Sequence, residues 1–335
     1  YTYLCLDDGW SEKQRDPQTG RLLPDRDKFP SGMKALVDYV HGKGLKFGIY
    51  SCAGALTCQT LPGSFDQEFL DARTFAEWGC DYLKYDYCYR PAVDSKILYR
   101  RMGMALRATG KEILYSICTG GCEHPERWAR SAGGDLFRTT ADIEDNYESF
   151  KQIAESQLHN LCCSAPGGYN DLDMLTVGMH GKGNVGAGGC TDREYKTEFV
   201  LWCLYGAPLM LGCDIRTLEG ELLELVKNKN LIALCRDPEC RPAFEVSAHP
   251  WIAGRKVYMR FLSDGSYAVA FFNFSETAGN IPFYLFNAGL TSSSGYGMIL
   301  ENMLTGERSE IQTSVFEVDL KPHDCAIFRA RLVKI

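Results

Sequence analysis

The stretch Cys80-Asp81-Tyr82-Leu83-Lys84-Tyr85-Asp86-Tyr87-Cys88 reads as a buried β-strand that ends in a carboxylate. Tyr82, Leu83 and Tyr85 favour an extended, packed chain. Lys84 and Asp86 stand two residues apart, so in a strand both point to the same side. A cation beside a carboxylate lowers its pKa and keeps it ionised, the state a carboxylate nucleophile needs. Alone, the pair reads more readily as a strand-end ion pair without chemistry. The rest of the chain shifts that balance.

Just upstream, residues 66–78 read as a helix stopped by Gly79. Farther back lie a strand over 2–7, a polar loop over 11–28, and a helix over 32–41 with Met33, Leu36, Val37 and Val40 on one face. Gly42 and Gly44 stop that helix, and a strand over 45–51 follows. Downstream the alternation continues: helix 94–108, strand 112–118, short helix 125–132 with Pro125 at its first turn, strand 136–139, helix 144–158 and strand 161–164. A Gly-rich loop over 178–189 precedes helix 192–204, strand 208–211 and helix 218–227, and it reads as a flexible lid.

Strand and helix alternate throughout, which predicts a parallel sheet with crossover helices. Seven βα units are visible in the sequence, and a closed barrel needs eight. Tyr1 already lies in a strand, so the first unit is expected to precede it. A doubly wound sheet is the structural alternative, but no Gly-rich dinucleotide fingerprint follows the first strand. Beyond Arg236-Asp237-Pro238 the segments become short, alternating and turn-bounded, over 257–262, 267–273, 281–286, 297–302, 315–320 and 325–330. The expected architecture is a (β/α)8 TIM barrel over 1–238, without its first unit, and a C-terminal antiparallel β-sandwich over 239–335.

Composition narrows the partners. The net charge of −7 and the absence of Lys/Arg runs argue against nucleic acid, and no apolar run reaches membrane-span length. The 15 Cys are an odd number, so at least one thiol is unpaired if pairing is internal. Cys5, Cys203 and Cys213 sit in apolar patterns, as small buried hydrophobes do. A chain of this length does not depend on disulfides for its stability. At most one or two disulfides and a reducing, cytoplasmic location are therefore expected. Secretion stays open, because the chain's true start is expected upstream. Cys118, Cys122, Cys162 and Cys163 lack the paired C-x2-C spacing of a zinc site, so neither metal nor cofactor is expected. Homo-oligomerisation is left open.

In a (β/α) barrel, functional side chains come from the C-terminal ends of strands. Those ends carry Asp7-Asp8-Gly9-Trp10, then Lys84 and Asp86, then Arg138-Thr139-Thr140-Ala141-Asp142-Ile143-Glu144-Asp145, then Tyr169-Asn170-Asp171-Leu172-Asp173-Met174, then Cys213-Asp214-Ile215-Arg216. Many Asp and only 6 His point to sugar or metal chemistry, and a carboxylate pair can hydrolyse a glycoside. Each group also has a plain structural reading. Asp7 and Asp8 can cap a loop, Arg138 can form an ion pair with Asp142, Asp171 and Asp173 can be turn and helix caps, and Asp142, Glu144 and Asp145 can form a solvated helix N-terminus.

Together these blocks, with Tyr50-Ser51-Cys52-Ala53-Gly54, Thr57-Cys58 and Ala207-Pro208-Leu209, resemble glycoside hydrolase family 27, the melibiase-type α-galactosidases. The resemblance spans nearly the whole chain. It implies a retaining exo-glycosidase acting on terminal α-galactosides through a covalent glycosyl-enzyme, without cofactor. By matched positions, Asp86 is the implied nucleophile and Asp142 the implied general acid/base. Asp7 and Asp8 are implied to hold the sugar's O4 and O6, with Lys84, Arg138 and Asp173 as further substrate-binding positions. Cys58 and Cys88 are implied as a disulfide. A retaining pair stands roughly 5–5.5 Å apart. Where the family usually has Cys-Glu-Trp-Gly, this chain reads Cys118-Thr119-Gly120-Gly121. That departure keeps β-L-arabinopyranosidase and α-N-acetylgalactosaminidase as alternatives. A non-catalytic carbohydrate-binding relic is the alternative outside the enzyme class.

Overall fold

A computed structural model of the chain describes residues 1–246 and 253–335. By internal contacts it divides into two compact units, residues 1–141 with 167–171, and residues 142–166 with 172–335.

The first unit is built on strands β1 (Tyr3–Cys5), β2 (Lys46–Cys52), β3 (Tyr82–Asp86), β4 (Leu114–Cys118), β5 (Leu136–Arg138) and β6 (Tyr169–Asp171). They pair in sequential order and every pair is parallel. A doubly wound sheet reverses its strand order partway. A strictly sequential parallel order is that of a TIM-type barrel wall, so the open alternative is resolved by pairing.

Three crossovers carry helices α1 (Gly32–Gly42), α2 (Glu68–Trp78) and α3 (Ser95–Ala108). Met33, Val37 and Val40 are buried as the periodicity required. Gly79 ends α2 at φ +92°, returning its N–H to the carbonyls of Phe75 and Ala76. The Asp94 carboxylate caps α3 by accepting the Lys96 N–H. Phe47, Ile49, Leu83, Tyr85, Tyr99, Ile117 and Phe137 fill the core between sheet and helices. The polar loop over 11–28 is tied down by Arg15, whose guanidinium grips the fully buried Asp71 at 2.7 and 2.6 Å.

Two expected strands differ. Residues 161–164 do not pair; Leu161–Cys163 is a single 3-10 turn. Pro166 and Gly167 follow it, and the sixth strand forms after them at β6, in register with β5. The expected strand at 208–211 is reduced to one bridge, Leu211 with Leu175. Pro208 at its start has no N–H to donate. The short helix expected at 125–132 resolves into two 3-10 turns.

The second unit contains α4 (Tyr147–Gln157), α5 (Asp192–Tyr205), α6 (Gly220–Val226) and α7 (Lys229–Cys235), followed by the strands β7 (Phe244–Glu245), β8 (Arg255–Phe261), β9 (Tyr267–Asn273), β10 (Gly279–Tyr284), β11 (Tyr296–Asn302), β12 (Val315–Leu320) and β13 (Cys325–Lys334). One antiparallel sheet runs β11-β13-β9-β8-β7 and a second pairs β10 with β12. Val257, Val269, Phe271, Phe283, Leu300 and Phe328 form a core drawn from both sheets, as a sandwich requires. Arg260 on β8 is 1% exposed. Its guanidinium donates to the carbonyls of Leu204 and Leu234 at 3.0 and 3.2 Å, so one buried cation satisfies the C-terminal ends of α5 and α7.

Candidate active site

In the first unit the site grows from strand register. Tyr50 on β2, Lys84 on β3 and Ser116 on β4 are direct partners, and Cys52 partners Asp86. Partnered residues on neighbouring strands share a face. Tyr50, Lys84 and Asp86 therefore converge as the two-residue spacing required.

Their pairing differs from the expectation. Lys84 Nζ binds Asp7 Oδ2 at 2.7 Å, across 77 residues of sequence, and lies 5.3 Å from the Tyr50 ring centroid. Asp86 is held by a different donor. The Tyr87 N–H reaches its Oδ1 at 2.8 Å, and the neighbouring Tyr50 hydroxyl donates to Cys58 Sγ at 3.4 Å. Burial pushes the Asp86 carboxyl above its ordinary range. The Lys84 charge, the Tyr87 amide and the Tyr50 hydroxyl each pull it down without reversing the shift, and the Asp7 charge adds to the rise. The expectation that Lys84 sets the Asp86 pKa low is thus corrected: desolvation outweighs the cation. For Lys84 itself, burial acts to lower its pKa and the Asp7 charge to raise it; the net is upward, so it stays protonated.

The strand end is closed by a disulfide between Cys58 and Cys88. Among the described residues no other disulfide is formed. Cys58 Sγ lies 3.6 Å from Asp86 Oδ2. The bridge brings the loop after β2 against the chain leaving β3, and that approach explains Gly54: a Cβ there would strike the Cys88 carbonyl. Asp8 is partly engaged, its Oδ2 accepting the Gln59 N–H and its Oδ1 the Gly9 N–H, at 2.8 and 2.7 Å. Arg138 ends β5 and is buried, partnered in register by Cys118 on β4 and Asp171 on β6. Asp171 is thus the last residue of a strand.

In the second unit the acidic run after Arg138 divides by role. Asp142 and Glu144 are exposed, while Asp145 is fully buried. Asp145 Oδ1 accepts the Tyr195 hydroxyl at 2.8 Å and Oδ2 the Gly181 N–H at 2.7 Å. Its backbone bonds Val185 and Gly189 on the same loop. Asn146, not an acid, caps α4. The reading of Asp145 as a solvated helix start is therefore corrected, and the Gly-rich loop over 178–189 is pinned at several points. Its glycines serve close packing, since a Cβ on Gly186 or Gly189 would meet the backbone of residues 180–183.

Asp173 follows at φ +82°, its carboxylate accepting the N–H groups of Ile143 and Met174 at 2.8 and 2.7 Å. Glu198 on α5 is fully buried, bonded to the Thr176 amide and hydroxyl at 2.7 and 3.0 Å, and burial pushes its carboxyl up to about 8.

Sequence reasoning missed Tyr50 as a neighbour of Asp86, although its in-register place opposite Lys84 follows once β2 and β3 are paired. It misread Asp145 and missed Glu198, whose roles depend on partners far along the chain.

Residues 1–237 match the family model described as Alpha galactosidase A (Melibiase_2), and residues 253–330 match that described as Alpha galactosidase C-terminal beta sandwich domain. The chain is 38% identical over 329 residues to the α-galactosidase of Cyamopsis tetragonoloba, covering 98% of this chain and 76% of that one. It is 42% identical over 295 residues to the α-galactosidase of Coffea arabica, covering 88% and 75%. Among solved structures, α-galactosidase I from Mortierella vinacea superposes with a TM-score of 0.91 at 28% identity, covering 98% of this chain and 87% of that one.

Proposed function

The chain belongs to the melibiase-type α-galactosidase family, and from that premise we propose a retaining double displacement in which Asp86 is the nucleophile and Asp142 the general acid/base. The protein is a glycoside hydrolase, and terminal α-galactosides are its substrates. Residues 1–238 form the catalytic domain in this reading and 239–335 the accompanying sandwich.

The observation that carries the reading is the end of β3. Asp86 is a half-buried carboxylate held by the Tyr87 amide, with Tyr50 and the Lys84 cation on the same face. A fixed, ionised carboxylate attacks the anomeric carbon, while protonated Asp142 gives its proton to the leaving oxygen. That step forms the bond from Asp86 to the sugar and breaks the bond to the leaving group. Asp142, now a carboxylate, takes a proton from water, and the water oxygen displaces Asp86. The anomeric configuration is inverted twice and so retained.

Asp7 and Asp8 are assigned to hydroxyls of the sugar, with Lys84 and Arg138 beside them. The Asp7–Lys84 ion pair engages Oδ2 and the Asp8 N–H is donated to Oδ1, and each carboxylate oxygen keeps a further lone pair for a hydroxyl. Proton NMR of early hydrolysis tests the stereochemistry. α-Galactose appears first under this proposal, and β-galactose first would overturn it.

A further inference from the structure

Asp173 stands at φ +82°, where non-glycine residues are strained and Asp and Asn are tolerated best. Something must hold it there. Trp202, fully buried on α5, donates its indole N–H to the Asp173 carbonyl at 2.9 Å. In that conformation one carboxylate oxygen turns back to its neighbour, Met174 N, at 2.7 Å. The other crosses 30 residues of sequence to Ile143 N, at 2.8 Å.

The Ile143 N–H belongs to the peptide unit that also carries the carbonyl of Asp142. A peptide unit is planar, so anchoring it sets ψ at Asp142, one of the residue's two soft backbone torsions. That in turn sets the direction in which the Asp142 side chain leaves the backbone. The anchor is supported from the next residue, because the Ile143 side chain is 1% exposed, in the core with Phe150 and Phe199. Two residues farther on, Asp145 is bonded to the Gly-rich loop through its side chain and its backbone. Asp142 itself is exposed.

We infer that Asp173 is the positioning residue of the general acid/base: its carboxylate holds the Asp142–Ile143 peptide and so directs Asp142 at the leaving-group oxygen. The inference rests on the assignment of Asp142 as the acid/base. It replaces the expectation that the Asp173 carboxylate serves chiefly as a sugar ligand.

A positioning role and a sugar-binding role separate by substrate. Acid assistance matters most for poor leaving groups, whereas a galactose ligand is needed whatever leaves. Asp173→Asn keeps the side-chain shape and tolerates φ +82°, but it offers one acceptor oxygen to two N–H groups. The measured quantity is kcat/KM on a nitrophenyl α-galactoside and on an α-galactosyl disaccharide, together with inhibition by free galactose. The disaccharide is expected to lose about tenfold more than the nitrophenyl substrate, with the galactose inhibition constant moving less than about twofold. Trp202→Phe, which keeps a ring in the core but drops the indole N–H, is expected to give the same selective loss in smaller measure.

Equal losses on both substrates, or a galactose inhibition constant rising in step with the loss, would overturn the inference. Loss of stability in both variants without a change in the substrate ratio would do so as well. Asp142→Ala is measured in parallel. If it shows no leaving-group dependence, the acid/base assignment is at fault; if it does and Asp173→Asn does not, only the inference fails.

Discussion

Asp86 stands at the end of a strand paired on both sides within the parallel sheet, and its carboxylate is half-buried beside Tyr50, Tyr87 and Lys84. Asp142 stands in a loop, exposed, and the peptide that follows it is held by the carboxylate of a residue 30 positions from Ile143. The first is placed by the sheet. The second is placed by side chains lent from elsewhere in its own unit. A nucleophile must meet one carbon along one line, and strand register supplies that rigidity. An acid/base must serve leaving groups of different shape and then a water. An exposed side chain on an anchored backbone suits that task.

The largest expected effect breaks the strand side. Asp86→Asn should cut hydrolysis of an aryl α-galactoside by at least roughly a thousandfold while thermal unfolding stays cooperative; near-normal turnover would remove Asp86 from the mechanism. On the loop side, Asp142→Ala should lower kcat/KM on an α-galactosyl disaccharide by roughly a hundredfold or more. Nitrophenyl substrates should lose less, and added azide should restore turnover through a galactosyl azide product. Absence of both signs would leave the loop without its assigned role.

Stability separates the regions next. Asp145→Ala leaves the Tyr195 hydroxyl and the Gly181 amide without their acceptor, and should cost roughly 2–4 kcal/mol by denaturant unfolding. Hydrogen exchange should rise over residues 178–189, whereas the β3 amides should not follow. Exchange spreading equally to both would contradict the division of support.

Two smaller effects are read from pH. Asp86 must be ionised to attack and its pKa is raised, so the acid limb of kcat/KM should lie above the ordinary aspartate value of about 3.9. The Lys84 charge pulls that pKa down, so Lys84→Met should move the limb to higher pH; a move to lower pH would refute the assigned electrostatics. Glu198 works in the other unit. Its folded pKa of about 8 lies above its unfolded value, so its contribution to stability is complete below the unfolded pKa and lost as pH rises through 8. Unfolding temperatures should therefore fall from about pH 5 to about pH 8, and Glu198→Gln should flatten that slope.

Much of this was legible along the chain. Met33, Val37 and Val40 lie on the buried face that their spacing required, and Gly79 ends its helix in the left-handed conformation only glycine adopts freely. The strand at residues 161–164 misled because Leu-Cys-Cys suits a buried turn as well as a strand, and only pairing distinguishes them. Asp145 misled for a related reason: an acid just ahead of a helix favours the dipole, but here the acceptor was claimed by a loop some 36 residues away.

By itself the sequence determined what local chemistry determines: the βα alternation, the facing of Lys84 and Asp86, the change to short antiparallel strands beyond Pro238, and the family. Periodicity, caps and turns act over a few residues and are written in those residues. Tertiary structure decided who pairs with whom. Lys84 went to Asp7, Asp173 to the peptide after Asp142, and the Asp86 carboxyl was pushed up although a cation stands on its own strand. Burial is a collective property of the packed unit, and desolvation there outweighed the one neighbour that sequence spacing could reveal.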